Sequence, residues 1–261
     1  MVPGWQLLYN REMKPVIVFP LHDPHGTVIP HLDALAAGLD GPFARAFLSV
    51  TEPTWQRHAS ALEALRARPF FAASVVPGGL GAGEHFSRLY AWAAGESHVD
   101  QPLHLCFPDR VAFALQTGHR AAFLADVQNL GANDLPLIFQ RSARAWRTHP
   151  PTYRRLEQAV TAAGQARFGR ALDFAWCHLA LRAGDLRGLI PALTRPDISM
   201  VAQLVIGLAD RVRTRSVDWL AWEDPFIFQR DARGLRRERE HSPDETAKRL
   251  GYVIPMLQML S

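Results

Sequence analysis

Short apolar runs alternate with amphipathic segments over the first 116 residues, and this alternation constrains the fold more than any other feature of the chain. Apolar runs bounded by turn residues, which predict buried strands, occupy 16–21, 44–50, 70–76 and 103–107. Apolar residues at helical spacing, which predict helices, occupy 28–39, 54–68, 84–94 and 110–116. Strands alternating with helices are typical of an α/β fold. We therefore expect a mostly parallel central sheet with helices on both faces.

The second half of the chain has a less regular pattern. Its periodicity predicts helices over 119–127, 151–163, 171–181, 200–209 and 243–260. Strands are expected at 135–140 and 212–217, and Pro136 places the first of these at a sheet edge or at a strand start. We divide the chain into an α/β domain, 1–228, and a charged segment with a C-terminal helix packed on or near it, 229–261.

Composition excludes several classes of protein. No uninterrupted apolar span approaches the roughly 18 residues of a transmembrane helix. Residues 1–6 lack the layout of a signal peptide, and Cys106 and Cys177 are expected to be buried free thiols, so we predict a cytoplasmic protein. The net charge is +4, and only Lys14 and Lys248 of the 29 basic residues are lysines. The densest charge cluster, 230–241, mixes both signs and lacks aromatic residues, which argues against nucleic-acid binding.

A carboxylate follows the fourth predicted strand, where the chain reads Phe107, Pro108, Asp109. Ligands of open α/β sheets bind beyond the carboxyl ends of the strands. Asp109 would stand at such an end and could hold a metal or a sugar hydroxyl. The alternative is that Asp109 caps the helix predicted over 110–116, because Asp is a favoured N-cap residue.

A glycine-rich loop, 77–83, separates the third predicted strand from the next helix. Its backbone amides could receive a diphosphate, helped by the positive end of that helix, and Arg88 could reach a phosphate from the first helical turns. The loop has neither the Walker pattern nor the dinucleotide fingerprint, since Gly79, Gly81 and Gly83 are spaced by two. A mobile turn, with Arg88 solvated, is the alternative.

Two further turns carry polar residues. The first strand is followed by His22, Asp23 and His25, which suit ligand contact through the backbone and Asp23 better than a metal cluster. The last strand is followed by Glu223 between Trp222 and another acid. Here the indole rings of Trp219 and Trp222 could stack on a sugar, or simply anchor the loop in the core. Asp197 is a third candidate acid, with helix N-capping as its alternative.

Three segments, 107–115, 137–150 and 218–225, resemble a poorly characterised group of bacterial GT-A glycosyltransferase-like proteins, and the resemblance covers most of residues 15–228. In the GT-A superfamily an Asp-x-Asp motif holds the divalent metal on the nucleotide-sugar diphosphate. The first acid is Phe107 here, so the resemblance implies that Asp109 alone carries the metal role, with Mn²⁺ or Mg²⁺. It also implies a GT-A-like fold, in which helices cover both faces of a mostly parallel sheet.

The resemblance implies a transferase that uses a nucleotide-diphosphate sugar donor and a hydroxyl acceptor. The implied nucleoside-binding residues are Leu21, His22, Asp23 and Thr51. Gly81 and Arg88 would hold the diphosphate, and Glu223 or Asp197 would deprotonate the acceptor. Since Phe107 replaces an acid and 199–202 hold none, a non-catalytic nucleotide- or sugar-binding protein on the same fold is the alternative. Oligomeric state is left open.

Overall fold

The computed structural model describes residues 13–261, except for the side chain of Ala132, so the prediction made for residues 1–6 lies outside it. Within this part of the chain, seven strands form one sheet. They are β1 (Val16–Leu21), β2 (Arg45–Thr51), β3 (Phe71–Val76), β4 (Pro102–Cys106), β5 (Leu137–Arg141), β6 (His178–Arg182) and β7 (Arg213–Val217). Their order across the sheet is β3-β2-β1-β4-β6-β5-β7.

The sheet is mostly parallel. The neighbours β3, β2, β1 and β4 run parallel to one another, and so do β5 and β7. Strand β6 runs antiparallel to both of its neighbours, β4 and β5. The carboxyl ends of β1, β2 and β4 therefore meet at one edge of the sheet, where the turn after β1 and Asp109 were predicted to lie.

Helices cover both faces, as the alternating pattern predicts. One face carries α1 (Leu32–Leu39), α2 (Glu52–Arg66), α4 (Pro108–Gln116), α5 (Arg120–Gln128) and α10 (Asp224–Ile227). The opposite face carries α3 (Ala82–Glu96), α7 (Pro151–Phe168), α8 (Ala183–Leu189), α9 (Met200–Leu208) and α12 (Pro243–Leu260). The short α6 (Ala143–Thr148) follows β5, and α11 (Ala232–His241) precedes α12.

Strand β1 shows why these apolar runs become central strands. Successive side chains of a strand point to opposite faces. Ile17, Phe19 and Leu21 accordingly pack into the core on the face of α1, while Val16 and Val18 pack into the core on the face of α3. A strand buried on both sides needs an apolar residue at nearly every position, which is the pattern that predicted it.

The helix predicted over 171–181 is wrong. Residues 178–182 form β6, whose Leu179, Ala180 and Leu181 are fully buried between β4 and β5. A continuous apolar run does not distinguish a buried strand from a buried helix, and here the unpaired backbone groups of β4 and β5 are satisfied only by a strand. Pro136 lies directly before β5, at a strand start rather than a sheet edge, because β5 has neighbours on both sides.

The charged segment 229–261 folds back onto the sheet domain. The side chain of Glu240 accepts hydrogen bonds from the backbone and hydroxyl of Thr152, and the Tyr153 hydroxyl donates to Glu245 at 2.5 Å. These contacts fix α11 and α12 against α7. No helix formed by residues 13–261 has the length and apolar character needed to span a bilayer. Cys106 and Cys177 are buried free thiols, as expected.

Candidate functional site

A cavity of about 980 Å³ opens beyond the carboxyl ends of β1, β2 and β4. Its walls also include the loop before α9, the start of α10, and α12. Eight of the nine residues predicted as site residues line it: Leu21, His22, Asp23, Thr51, Gly81, Asp109, Asp197 and Glu223. The structure thus brings together residues that are up to about 200 positions apart in the chain.

A hydrogen-bond network fixes the wall formed by the ends of β1 and β2. The hydroxyl of Thr51 lies 2.9 Å from Nδ1 of His22 and 3.0 Å from the hydroxyl of Thr54. The backbone N–H of Asp23 donates to the same Thr54 hydroxyl at 2.8 Å. The turn after β1 is therefore anchored to the first turn of α2, which pre-organises His22 and Thr51 at the cavity.

The carboxylate of Asp23 is already occupied. It is buried and accepts hydrogen bonds from the backbone and hydroxyl of Thr27 and from the backbone N–H groups of Val28 and Ile29, at 2.6–3.2 Å. Four such bonds use the acceptor capacity of a carboxylate. Asp23 therefore shapes the turn, and the nucleoside-binding role predicted for its side chain gains no support from the geometry. Across the described residues, no three-ligand metal group includes His22, Asp23 or His25.

Asp109 lies inside helix α4 and is not its N-cap. The helix begins at Pro108, the N-cap position is Phe107, and the carboxylate of Asp109 accepts the backbone N–H of Arg110 at 2.9 Å. Asp109 is half-buried and faces the cavity. Burial raises the pKa of Asp109, the Arg110 guanidinium opposes the shift, and Asp224 adds to it. The positive end of α4 partly offsets the cost of this charge.

An ion pair between Arg110 and Glu223 joins the start of α4 to the start of α10. Their side chains are only 13% and 3% exposed. Because Asp109 precedes Arg110 and Asp224 follows Glu223, the pair holds both of these carboxylates in the wall of one cavity. Glu223 itself is engaged by a cation and shielded from solvent, so it is poorly suited to accept a proton from a substrate.

The two indole rings near Glu223 anchor the loop in the core. Trp219 is 1% exposed and Trp222 is 5% exposed, and Nε1 of Trp219 donates to Asp126 at 2.8 Å. Neither ring lines the cavity. The interpretation in which they stack on a sugar is therefore wrong, and the alternative of an anchored loop describes them.

The glycine-rich loop accommodates a neighbouring loop at close range. The N–H of Gly83 donates to the carbonyl of Pro196 at 2.9 Å. A Cβ at Gly81 or Gly83 would lie closer than 3.0 Å to backbone carbonyl oxygens of residues 195–197. The glycines thus let the loop that carries Asp197 pack against the start of α3. The Gly83 amide is not free to bind a phosphate, and the segment is not a mobile turn at this point.

Arg88 lies outside the cavity. Its guanidinium pairs with Glu84 at 2.7 Å on a solvent-facing side of α3, and its side chain is 54% exposed. The helix turns this position away from the carboxyl ends of the strands, so the diphosphate role predicted for Arg88 gains no support from the geometry.

Asp197 is the more accessible of the two candidate bases. Its side chain is 40% exposed, one oxygen accepts the backbone N–H of Ser199 at 2.8 Å, and the other lies 3.5 Å from Arg195. The hydrogen bond to Ser199 orients the carboxylate just before α9. The second oxygen keeps acceptor capacity toward the cavity.

The wall formed by α7, β5 and the C-terminal helices was missed by sequence reasoning. Arg141 pairs with Glu157 at 3.0 Å, and Arg249 pairs with Glu157 at 2.9 Å. Burial would raise the pKa of Glu157, but the two guanidiniums hold it below its usual range. Arg239 pairs with Asp224 at 3.5 Å. Lys248 and Tyr252 complete this wall. These partners lie 15 to 92 positions apart, beyond the three or four positions over which a helix gives a spacing signal.

A second group of metal-ligating side chains lies in the core and not in the cavity. Nε2 of His104 lies 2.8 Å from Nδ1 of His178, and the donor atoms of these two residues and of Cys106 all lie within 4.8 Å of one another. Burial lowers the pKa of His104 to about 3, so the ring is neutral. Nitrogen and sulfur donors suit zinc or copper rather than Mn²⁺ or Mg²⁺. None of the three residues lines the cavity.

No protein-family model matches the sequence, and a search of curated protein sequences gave no match. The fold is similar to solved structures of glucosyl-3-phosphoglycerate synthase from Mycobacterium tuberculosis. For the complex with uridine diphosphate (UDP), the TM-score is 0.52 at 13% identity over 99% of this chain and 85% of that one. For the complex with Mn²⁺, UDP and phosphoglyceric acid, it is 0.51 at 14% identity over 97% and 82%. The similarity supports a GT-A-like fold, as the sequence resemblance implied.

Proposed function

We propose that this protein is a glycosyltransferase that uses a nucleotide-diphosphate sugar as donor and a divalent cation as cofactor. The observation that carries the proposal is the cavity at the carboxyl ends of β1, β2 and β4, which eight of the nine predicted site residues line. In open α/β sheets this is where ligands bind. The UDP-bound and Mn²⁺-bound synthases of similar fold support the same ligand chemistry.

The nucleoside would bind at the end of β1. Leu21 offers an apolar contact, and His22 and Thr51, held together at 2.9 Å, offer polar groups to the base and ribose. A cavity of about 980 Å³ is large enough for a drug-sized ligand with space left for a second substrate.

Asp109 and Asp224 would hold the cation. Carboxylate oxygens are the donors that Mg²⁺ and Mn²⁺ prefer. Magnesium is commonly bound by one or two protein carboxylates together with substrate phosphates and water. Both carboxylates line the cavity, and Asp224 is near enough to raise the pKa of Asp109, so the pair fits this pattern. When bound, the cation neutralises charge that develops on the leaving diphosphate.

Asp197 would accept the proton of the acceptor hydroxyl, since its carboxylate reaches the cavity and stays partly accessible. Glu223 would act as a positioning residue, because its ion pair with Arg110 holds the segments that carry Asp109 and Asp224. General bases of this kind typically contribute about 10²–10⁴-fold to a rate.

One observation favours a second function, binding without transfer. Phe107 occupies the position at which an acid would extend the metal site, and its ring packs against Phe86 and Trp176. A protein of this kind would keep the nucleotide pocket and have no turnover. The two functions differ in one measurable property, hydrolysis or transfer of the donor sugar.

The test is titration calorimetry with UDP and a panel of nucleotide sugars, with and without Mn²⁺, on the wild type, Asp109→Asn and Asp210→Asn. Asp210 is exposed and lies outside the cavity, so it controls for loss of a surface carboxylate. We expect metal-dependent binding that Asp109→Asn weakens and Asp210→Asn leaves unchanged. Absence of binding for the whole panel would contradict the proposal. Binding without donor hydrolysis or transfer would select the second function.

A further inference from the structure

The arginines that line the cavity all hold carboxylates of the protein. Arg110 pairs with Glu223, Arg141 and Arg249 pair with Glu157, and Arg239 pairs with Asp224. Ion pairs of this kind hold the guanidinium of each arginine in place, particularly where the side chains are buried. These guanidiniums therefore build the walls and are poorly placed to receive a ligand as well.

Lys248 differs from these arginines. It lies in α12, lines the same cavity, and has no carboxylate at ion-pair distance within residues 13–261. Its residue is exposed, so the ammonium is reachable from solvent. Lys248 is thus the one cation in the described cavity wall that is free to bind an incoming anion.

Lys248 lines the same cavity as Asp109 and Asp224, the two carboxylates proposed as metal ligands. Partial burial of the ammonium, and then the charges of Arg249 and Arg239, lower the pKa of Lys248, while Asp224 and Asp109 oppose the shift. The ammonium is therefore close enough to the two carboxylates proposed as metal ligands to be coupled to them. A group bound between the proposed metal cation and the Lys248 ammonium would meet positive charge on both sides, so it would need several negatively charged oxygens.

We propose that Lys248 binds the diphosphate of the nucleotide donor from the α12 side of the cavity. This inference rests on the proposed function. Lysine is a common phosphate ligand that acts as a compact point charge with three donors. In this position it would stabilise negative charge on the leaving diphosphate, the role for which Arg88 is misplaced. Binding of the anion would also relieve the repulsion among Lys248, Arg239 and Arg249.

The scarcity of lysine in this chain makes a direct chemical test available. Lys14 and Lys248 are the only lysines, and Lys14 is exposed and lies outside the cavity. Reductive methylation followed by peptide mass spectrometry reports the two amines separately, so Lys14 is an internal control. We expect UDP with Mn²⁺ to slow modification of Lys248 and leave Lys14 unaffected, and uridine to protect neither. Protection by phosphoglyceric acid but not by UDP would overturn the proposal in favour of an anionic acceptor.

Variants give the matching equilibrium test. We compare Lys248→Met with Lys14→Met as control and with Lys248→Arg as conservative change, measuring UDP and uridine binding by calorimetry. Loss of a charge-assisted hydrogen bond predicts about a ten- to hundredfold weaker UDP affinity for Lys248→Met. Uridine affinity should stay unchanged, and Lys248→Arg should recover part of the loss.

Each contrary outcome has a distinct meaning. If Lys248→Met binds UDP as tightly as the wild type does, the role of Lys248 is refuted and the proposed function stands. If uridine binding falls in parallel with UDP binding, the variant damages the pocket as a whole and the specific diphosphate contact is refuted. If the wild-type protein binds no nucleotide diphosphate of the panel, both proposals fail together.

Discussion

Replacing Gly83 by alanine tests why this segment contains glycine. The structure indicates that glycine is needed for close packing against residues 195–197, and not for phosphate binding. Gly83 lies in the first turn of α3, where its N–H donates to Pro196. An added Cβ would lie 2.5 Å from the carbonyl oxygen of Asp197 and closer still to that of Arg195. Both obstacles are backbone atoms, so neither moves by a change of rotamer.

The expected cost follows from these contacts. Overpacking typically costs about 1–3 kcal/mol. Weakening the hydrogen bond to Pro196 adds about 0.5–1.5 kcal/mol. Alanine returns up to about 1 kcal/mol of helix propensity. We therefore expect Gly83→Ala to lower the free energy of unfolding by about 0.5–4.5 kcal/mol. The loop that carries Asp197 should shift with it.

Gly95 provides a matched control on the same helix. It lies in the last turn of α3, is exposed, and a Cβ there would meet no atom within 4 Å. Gly95→Ala should therefore leave stability unchanged or raise it by up to about 1 kcal/mol. Urea unfolding followed by circular dichroism measures both variants. If Gly83→Ala is as stable as Gly95→Ala, the packing argument is refuted.

Three further predictions concern the Arg110–Glu223 ion pair, the metal, and His85, a buried residue of α3 that lines the cavity. Glu223→Gln leaves the Arg110 guanidinium without its partner. Breaking a fully buried pair lowers the free energy of unfolding by about 3–5 kcal/mol, and we expect a smaller loss here because the Arg110 side chain is 13% exposed. A loss below about 1 kcal/mol in urea unfolding would contradict this expectation. Burial lowers the pKa of His85 from 6.5 to about 4, so between these pH values the unfolded chain binds the extra proton and stability falls as pH falls. His85→Gln should make that pH dependence shallower by about 1.4 kcal/mol per pH unit, and an unchanged slope would refute the assignment. UDP should raise the affinity of the protein for Mn²⁺ by the same factor by which Mn²⁺ raises its affinity for UDP. If Mn²⁺ binds equally tightly with and without UDP, the two ligands do not share a site.

The parallel half of the fold could be predicted because each element carries its own periodicity. Strand β1 is apolar at every position that faces either core, and α4 starts at a proline directly after a buried run. Strand β6 could not be predicted, because Ala180 and its leucine neighbours suit a buried helix equally well. Only the partners β4 and β5, distant in sequence, decide between the two.

The candidate site, like the fold, has parts that could be predicted from the sequence and parts that could not. Residues at strand ends, such as Thr51 and Asp109, could be predicted, because the position of a strand end follows from the strand itself. The Arg110–Glu223 pair and the wall that contains Lys248 could not, because their partners lie 15 to 113 positions apart, outside the range of any helical or strand periodicity. The sequence contains only two lysines, but no spacing or neighbouring residue indicates that Lys248 lines the cavity.

The central claim is that a nucleotide diphosphate and a divalent cation bind at the Asp109 end of the cavity. Diffraction at the manganese edge, from crystals grown with UDP and Mn²⁺, tests it most directly. The account predicts an anomalous peak beside the carboxylates of Asp109 and Asp224, with diphosphate density between that peak and Lys248. A peak at His104, Cys106 and His178 instead, or an empty cavity at saturating UDP, would contradict it.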